Sequence, residues 1–124
     1  MKGIGIDMME LSGMEETIER SGDVFLKRVF SDDEIQKARC SDNPTNYFAS
    51  AFAVKEAVFK ALTLGWEQEV NFREIEVSRG PYGEPLVRLQ GTVKARAEAK
   101  GCGRVLSSLS YETDLAVAMA VAEG

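Results

Sequence analysis

The stretch from Phe52 to Leu62 limits the possible folds most, because it has helical periodicity and is apolar around nearly its whole circumference. At about 100° per residue, alanines and branched residues form one apolar arc, and two phenylalanines cover most of the opposite side. Only a narrow stripe of Glu56, Lys60 and Thr63 is polar. A helix of this kind is normally buried, so we expect Glu56 and Lys60 to lie beside other chain or ligand atoms.

The stripe by itself has two interpretations. Glu56 and Lys60 are four residues apart and could form an ion pair within the helix, worth roughly 0.2–0.5 kcal/mol. Alternatively, both could serve a ligand site. Lys55 lies outside the stripe, and we expect its side chain to reach solvent.

The absence of histidine restricts the chemistry. It excludes Ser-His-Asp and Cys-His catalysis and also histidine-ligated zinc. Any metal would have to be held by carboxylates and other oxygen atoms, which favours magnesium over calcium or manganese.

Composition indicates one compact domain over residues 1–124, since the chain is 44% hydrophobic and has a formal net charge of −5. The acidic balance argues against a nucleic-acid partner. The sequence has no apolar run of membrane-spanning length and no signal-peptide pattern, and its two cysteines cannot form a disulfide framework. We therefore expect a cytoplasmic protein that does not enter a membrane.

The segment from Lys2 to Met9 is predicted to be a buried first strand. Alternation places Asp7 on the same face as Gly3 and Gly5, where another backbone or a ligand could approach closely. The opposite face carries Ile4, Ile6 and Met8. A carboxylate in such a strand is costly unless it is paired or binds a metal, so a helix cap, a structural ion pair and a ligand role all remain open.

Further elements follow from caps, turns and periodicity. We expect helices from Met14 to Ser21, ended by Gly22, from the Ser31 capping box to about Cys40, from Thr45 to Leu64, ended by Gly65, and from Thr92 to Lys100. Strands are expected at Phe72 to Ser78, Leu86 to Leu89, Val105 to Tyr111 and Leu115 to Ala122. One face of the last strand is all alanine, which suits tight packing against a helix. The prediction is an α+β fold with a small antiparallel sheet packed on a long central helix.

Two motifs together resemble a known family: Gly-Ile-Gly-Ile-Asp ending at Asp7, and the helical stretch from Phe52 to Leu62 with its Lys-Glu-Ala-x-x-Lys pattern. The family is the 4′-phosphopantetheinyl transferases, specifically the short holo-acyl-carrier-protein synthases. The likeness extends through Phe25-Leu26-Lys27-Arg28-Val29-Phe30 with Glu34, Gly83-Glu84-Pro85 and Ser108-Leu109-Ser110. The matching segments occur in the same order as in the family and cover nearly the whole chain. The resemblance implies the 4′-phosphopantetheinyl transferase fold.

This resemblance implies transfer of 4′-phosphopantetheine from coenzyme A to a serine of apo acyl carrier protein, with release of adenosine 3′,5′-bisphosphate. By likeness, Asp7 and Glu56 hold a magnesium ion on the pyrophosphate of coenzyme A, and Lys60 contacts the phosphates. These three residues would be the catalytic set. Coenzyme A contacts are also expected at Gly83, Pro85 and Ser108, in clefts between the subunits of a homotrimer.

The implied chemistry agrees with the residues. Serine attack on phosphorus needs charge neutralisation more than covalent help, and a cation between two carboxylates can supply it. The positive charge of a lysine can stabilise the negative charge on the leaving phosphate. The serine proton would go to Glu56, directly or through a metal-bound water, and the sequence leaves both routes open.

Three positions depart from the family pattern: Gly13 and Ala51 stand where arginines are usual, and Tyr111 stands in place of a histidine. We expect Arg20, Lys27 and Arg28 to bind the acidic carrier instead, because basic charge concentrates in that part of an acidic chain. Two other functions remain open: the same chemistry on a dedicated secondary-metabolism carrier, and a non-catalytic subunit that binds coenzyme A.

Overall fold

The computed structural model describes residues 1–65 and 69–124 and confirms the α+β class. Its elements are β1 (Gly3–Glu10), α1 (Leu11–Val29), α2 (Asp32–Arg39), α3 (Pro44–Ala61), β2 (Ile75–Arg79), β3 (Pro85–Leu89), α4 (Gly91–Ala99), β4 (Arg104–Glu112) and β5 (Leu115–Glu123). The strands form two antiparallel sheets in the described ranges, one with the order β1-β5-β4 and one with β2 beside β3. Helices within these ranges are too short or too polar to cross a membrane.

Helix α3 packs directly on the three-stranded sheet because the sheet residues beneath it are small. The alanine face of β5 is at most 1% exposed, as expected from its alternating pattern. On β1, a Cβ atom added to Gly5 would overlap the Ala57 carbonyl oxygen, and one added to Gly3 would overlap the Ala61 carbonyl oxygen. The predicted close approach of another backbone to these glycines is therefore confirmed.

The prediction that β1 is buried is correct for only one of its faces. Ile4, Ile6 and Met8 are 54%, 56% and 64% exposed, because α3 covers the opposite side of the sheet. Met119 of β5 lies beside Ile6 and is also exposed, as is Leu106 of β4. We call this set (Ile4, Ile6, Met8, Leu106 and Met119) the outer sheet face.

Helix α3 begins as predicted, with the Asn43 side chain accepting a hydrogen bond from the Asn46 amide and Pro44 in the first turn. It ends at Ala61, so the predicted end at Leu64, with Gly65 as the stop, is wrong. Thr63 has a left-handed φ of 51°, and its amide and that of Leu64 close the helix end by bonding to carbonyls of the last turn. Thr63 thus lies beyond the helix and is not part of its polar stripe.

Helix α1 is longer than expected, although Gly22 breaks it as predicted with a φ of 53° and a ψ of −134°. Helical residues flank this break from Leu11 to Val29, so the segment from Phe25 to Arg28 is helical. The strand predicted from Phe72 starts at Ile75, because Phe72–Glu74 forms a 3₁₀ turn. The capping box at Ser31 is confirmed.

Lys55 was expected to reach solvent, and this prediction is wrong. Its side chain is fully buried and its Nζ atom lies 2.9 Å from Glu34 Oε1. The ammonium also donates to the carbonyls of Phe72 and Ile75, at 2.7 Å each. Burial lowers the pKa of Lys55, and the neighbouring Glu34 carboxylate opposes that shift.

The Glu34 carboxylate completes this network. It accepts hydrogen bonds from the backbone amides of Ser31, at 2.8 Å, and Val77, at 2.7 Å. The buried pair therefore joins α2, α3 and the start of β2 through backbone groups as well as charge. We expect it to fix the position of α3 relative to the second sheet.

Substituting Gly5→Ala should destabilise the protein by at least about 2 kcal/mol, because the added methyl group can be placed only by moving α3 off β1. Urea unfolding measures the change. The control is Gly13→Ala on α1, where the added Cβ would make only ordinary contacts; it should be neutral or stabilise by up to about 1 kcal/mol. Equal effects of the two substitutions would contradict this account of the packing.

Substituting Lys55→Met should cost about 3–5 kcal/mol of unfolding free energy, because Glu34 is left charged and buried. Adding Glu34→Gln should recover part of the loss, since no buried charge then remains. The control is the pair of Glu76 with Arg88, whose side chain is 74% exposed, and Arg88→Met should cost less than about 1 kcal/mol. A double variant that loses the sum of the two single effects would show that the charges are not coupled.

Candidate active site

Strand β1 and helix α3 bring Asp7 and Lys60 together. Lys60 Nζ lies 2.9 Å from Asp7 Oδ1 and donates to the Ile6 carbonyl at 3.0 Å. Asp7 lies in the middle of β1, paired with Ala118, so it does not cap a helix. Asp7 thus forms an ion pair, a ligand role for it stays a prediction, and the Lys60 side chain remains 47% exposed.

Glu56 lies one helical turn before Lys60 and is half-buried. Burial raises its pKa above the ordinary range, the Asp7 carboxylate raises it further, and the Lys60 charge lowers it. All three groups therefore share one electrostatic environment. Lys60 pairs with Asp7 and not with Glu56, so an ion pair within the helix does not explain the polar stripe.

The donor chemistry of this site fits a hard divalent cation. The carboxylates of Asp7 on β1 and Glu56 on α3 carry like charges, and burial disfavours the charged form of Glu56. Clusters of three or more histidine, cysteine or acidic side chains suited to a metal do not occur in the ranges 1–65 and 69–124. A cation held here would take its other oxygens from water or a ligand, as magnesium commonly does.

The expected coenzyme A contacts lie in two different places. Gly83 is in the turn between β2 and β3, and Pro85 begins β3. Ser108 is exposed on β4 beside Met119, which pairs with Ile6, so it belongs to the outer sheet side. Asp7 is on the other side, with Gly5, facing α3. One chain alone therefore does not bring Ser108 to Asp7, Glu56 and Lys60.

An aromatic pocket, which the sequence analysis missed, lies beside one of the expected carrier-binding residues. Its volume is about 440 Å³, and it is lined by Phe25, Arg28, Val29, Phe52, Phe59, Glu69, Val70 and Phe72. Ring centres of Phe52 and Phe59 lie 6.3 and 5.8 Å from that of Phe72. The seven-residue spacing of the two phenylalanines on α3 was a usable signal, because it places them on one face of the helix.

The other expected carrier-binding residues lie elsewhere on α1. Lys27 lines a separate hollow with Asp32 and Arg39, and Arg20 lies 3.7 Å from Glu16 on an exposed surface. Arg28 is thus the member of the set that borders the aromatic pocket.

The structure also shows where the three positions that depart from the family pattern lie. Ala51 is buried in α3, and Gly13 lies in the first part of α1. The Tyr111 hydroxyl accepts a hydrogen bond from Arg79 Nη2 at 3.2 Å.

The chain is similar to known proteins over nearly its whole length. Residues 3–120 match the 4′-phosphopantetheinyl transferase superfamily. A holo-[acyl-carrier-protein] synthase of Vibrio campbellii is 38% identical over 121 residues, which cover 98% of this chain and 96% of the relative. The crystal structure of the Neisseria meningitidis synthase is similar with a TM-score of 0.90 at 32% identity, covering 99% of this chain and 98% of that one. The Helicobacter pylori synthase in complex with coenzyme A is similar with a TM-score of 0.82 at 30% identity, covering 97% and 99%.

Proposed function

The chain belongs to the 4′-phosphopantetheinyl transferase superfamily as an enzyme of the holo-acyl-carrier-protein synthase type, and we propose that it transfers 4′-phosphopantetheine from coenzyme A to a carrier serine. The serine oxygen forms a bond to the phosphorus that bears the pantetheine arm. The bond from that phosphorus to the adenosine-bearing phosphate breaks, which releases adenosine 3′,5′-bisphosphate. The observation that carries this proposal is the convergence of Asp7, Glu56 and Lys60 from two elements.

Each residue of the site has a distinct task in this reaction. Asp7 and Glu56 would hold a magnesium ion, which when bound supplies positive charge to the pyrophosphate oxygens. Lys60 is partly exposed, so its ammonium can bind the leaving phosphate while Asp7 orients it. A carboxylate oxygen of Glu56 takes the proton that the carrier serine loses.

We further propose that the active enzyme is a homotrimer. The outer sheet face is an exposed apolar surface, which is typical of a subunit interface. Ser108 lies on this side of the sheet, away from Asp7 of the same chain. Both can contact one coenzyme A if a second copy packs there and a cleft forms between the two subunits.

Carrier docking is proposed at Arg28 and the aromatic pocket. The net charge of −5 opposes the approach of an acidic carrier, so local positive charge has to guide it. Arg28 supplies that charge beside a pocket that can bury an apolar side chain of the partner. Lys27 and Arg20 would extend the positive surface along α1.

Asp7→Asn and Glu56→Gln should each lower kcat by at least about 100-fold, because removing either charge weakens cation binding and phosphate stabilisation. Mass spectrometry of apo carrier incubated with coenzyme A and magnesium measures the transfer as one added phosphopantetheine. The control is Glu98→Gln on the exposed surface of α4. Near-normal turnover of either site variant at saturating magnesium would refute the site. If the parent protein binds coenzyme A but modifies none of a panel of carriers, it is a non-catalytic binding subunit.

Sedimentation at micromolar concentration should give the mass of three chains. Ile6→Glu should dissociate the trimer and reduce transfer, because it places a charge in the middle of the outer sheet face. Circular dichroism would show that the variant keeps its fold. A parent protein that sediments only as a monomer while it transfers phosphopantetheine would rule out the shared site.

Arg28→Glu should raise the KM for the carrier about tenfold or more and leave the KM for coenzyme A nearly unchanged, because the two substrates meet different residues. Arg20→Glu and Lys27→Glu should have smaller effects, and added salt should weaken docking in the parent protein. The matched control is Lys94→Glu on the exposed surface of α4. If Arg28→Glu and Lys94→Glu change the carrier KM equally, only the overall charge matters.

A further inference from the structure

Arg79, the last residue of β2, makes contacts with three separate parts of the fold. Its Nη1 atom donates to the Gly83 carbonyl at 3.0 Å, in the turn of residues 80–84. Its Nη2 atom donates to Ser50 Oγ of α3 and, at 3.2 Å, to the Tyr111 hydroxyl of β4. The guanidinium carbon also lies 5.4 Å from the ring centre of Tyr47.

We propose that Arg79 is a positioning residue that fixes this turn against α3 and β4 and so sets the affinity for coenzyme A. This inference rests on the proposed function, because coenzyme A is there expected to contact Gly83 and Pro85. The turn is the segment that carries Gly83 and leads into Pro85. A residue that sets the orientation of the turn therefore determines whether those two contacts can form.

The turn is closed on itself by short hydrogen bonds. The Gly80 amide donates to the Glu84 carbonyl at 2.8 Å, and the Gly83 amide donates to the Gly80 carbonyl at 3.0 Å. The Tyr82 amide donates to Glu84 Oε1 at 2.9 Å. These bonds give the turn a defined shape, but none of them reaches α3 or β4.

Arg79 supplies the missing connection. In the described part of the chain, only its side chain forms hydrogen bonds that link the turn with α3 and β4. The anchor on α3 is firm, since Ser50 is fully buried and its single hydroxyl proton is shared between the carbonyls of Asn46 and Tyr47. Apart from the pairing of Arg79 with Pro85 that closes the hairpin, the hydrogen bonds that hold the turn against α3 and β4 therefore come from one guanidinium group.

The geometry requires arginine and not merely a positive charge. Its planar fork can donate in two directions while its central carbon lies over the Tyr47 ring. A lysine at this position keeps the charge but has a single nitrogen, which cannot reach Gly83, Ser50 and Tyr111 in the same arrangement. Arg79→Lys thus separates a positioning effect from a purely electrostatic one.

The test measures the KM for coenzyme A and kcat in the full-length enzyme with magnesium and apo carrier. Arg79→Lys and Arg79→Met should each raise this KM about tenfold with kcat within about twofold, because Arg79 does not touch Asp7, Glu56 or Lys60. Tyr111→Phe loses one hydrogen bond and should raise the KM about two- to threefold. The control is Arg88→Lys on β3, an exposed arginine of the same hairpin, which should leave the KM unchanged.

Hydrogen exchange of the turn amides gives a readout that does not depend on the reaction. Exchange at Gly80 and Gly83 should accelerate in Arg79→Lys and not in Arg88→Lys. Any one of three results would overturn the positioning role. They are unchanged exchange of the turn amides in Arg79→Lys, a KM for coenzyme A in Arg79→Lys equal to that of the parent protein, and an equal KM increase in Arg88→Lys. Failure of the parent protein to transfer phosphopantetheine would instead refute the proposed function, and the exchange result would still decide whether Arg79 orients the turn.

Discussion

The buried pair of Glu34 and Lys55 is the interaction on which the arrangement of the helices and the second sheet depends. Lys55 is in the helix that also carries Glu56, and its ammonium is held by Glu34 and two carbonyl oxygens. Glu34 in turn accepts hydrogen bonds from two backbone amides. Removing the charges of Glu34 and Lys55 from water is costly. Their hydrogen-bond partners compensate for this cost only when α2, α3 and β2 are correctly placed. The pair therefore favours one packing over others.

A second constraint, the close contact of β1 with α3, positions the candidate active site. Gly5 lets the strand approach the backbone of the helix near Ala57. Asp7 follows two residues later on the same face, and Lys60 follows one turn later on the helix, so the two meet at 2.9 Å. A larger residue at Gly5 would separate the carboxylate of the strand from those groups of the helix. Backbone packing and the chemistry of the site are thus linked by one residue.

The sheet has two faces with different consequences. The inner face, made of glycines and alanines, is filled by α3 and completes the core. The outer face combines exposed apolar side chains with Ser108. Under the proposed function, each cleft is built by two copies, so that a short chain can contribute to a site for a substrate as large as coenzyme A.

The sequence alone predicted the fold class, the order of the elements and the candidate site residues, because these follow from local patterns and motifs. Periodicity and caps located α3, alternation put Asp7 beside Gly5, and the two motifs identified the family. Only the tertiary structure decided which partners the charged residues have. Lys55 is buried because Glu34, 21 residues away, reaches it, and Lys60 pairs with Asp7, 53 residues away, and not with Glu56 on its own helix. Contacts across such separations depend on how the elements pack, and no local pattern of residues encodes them.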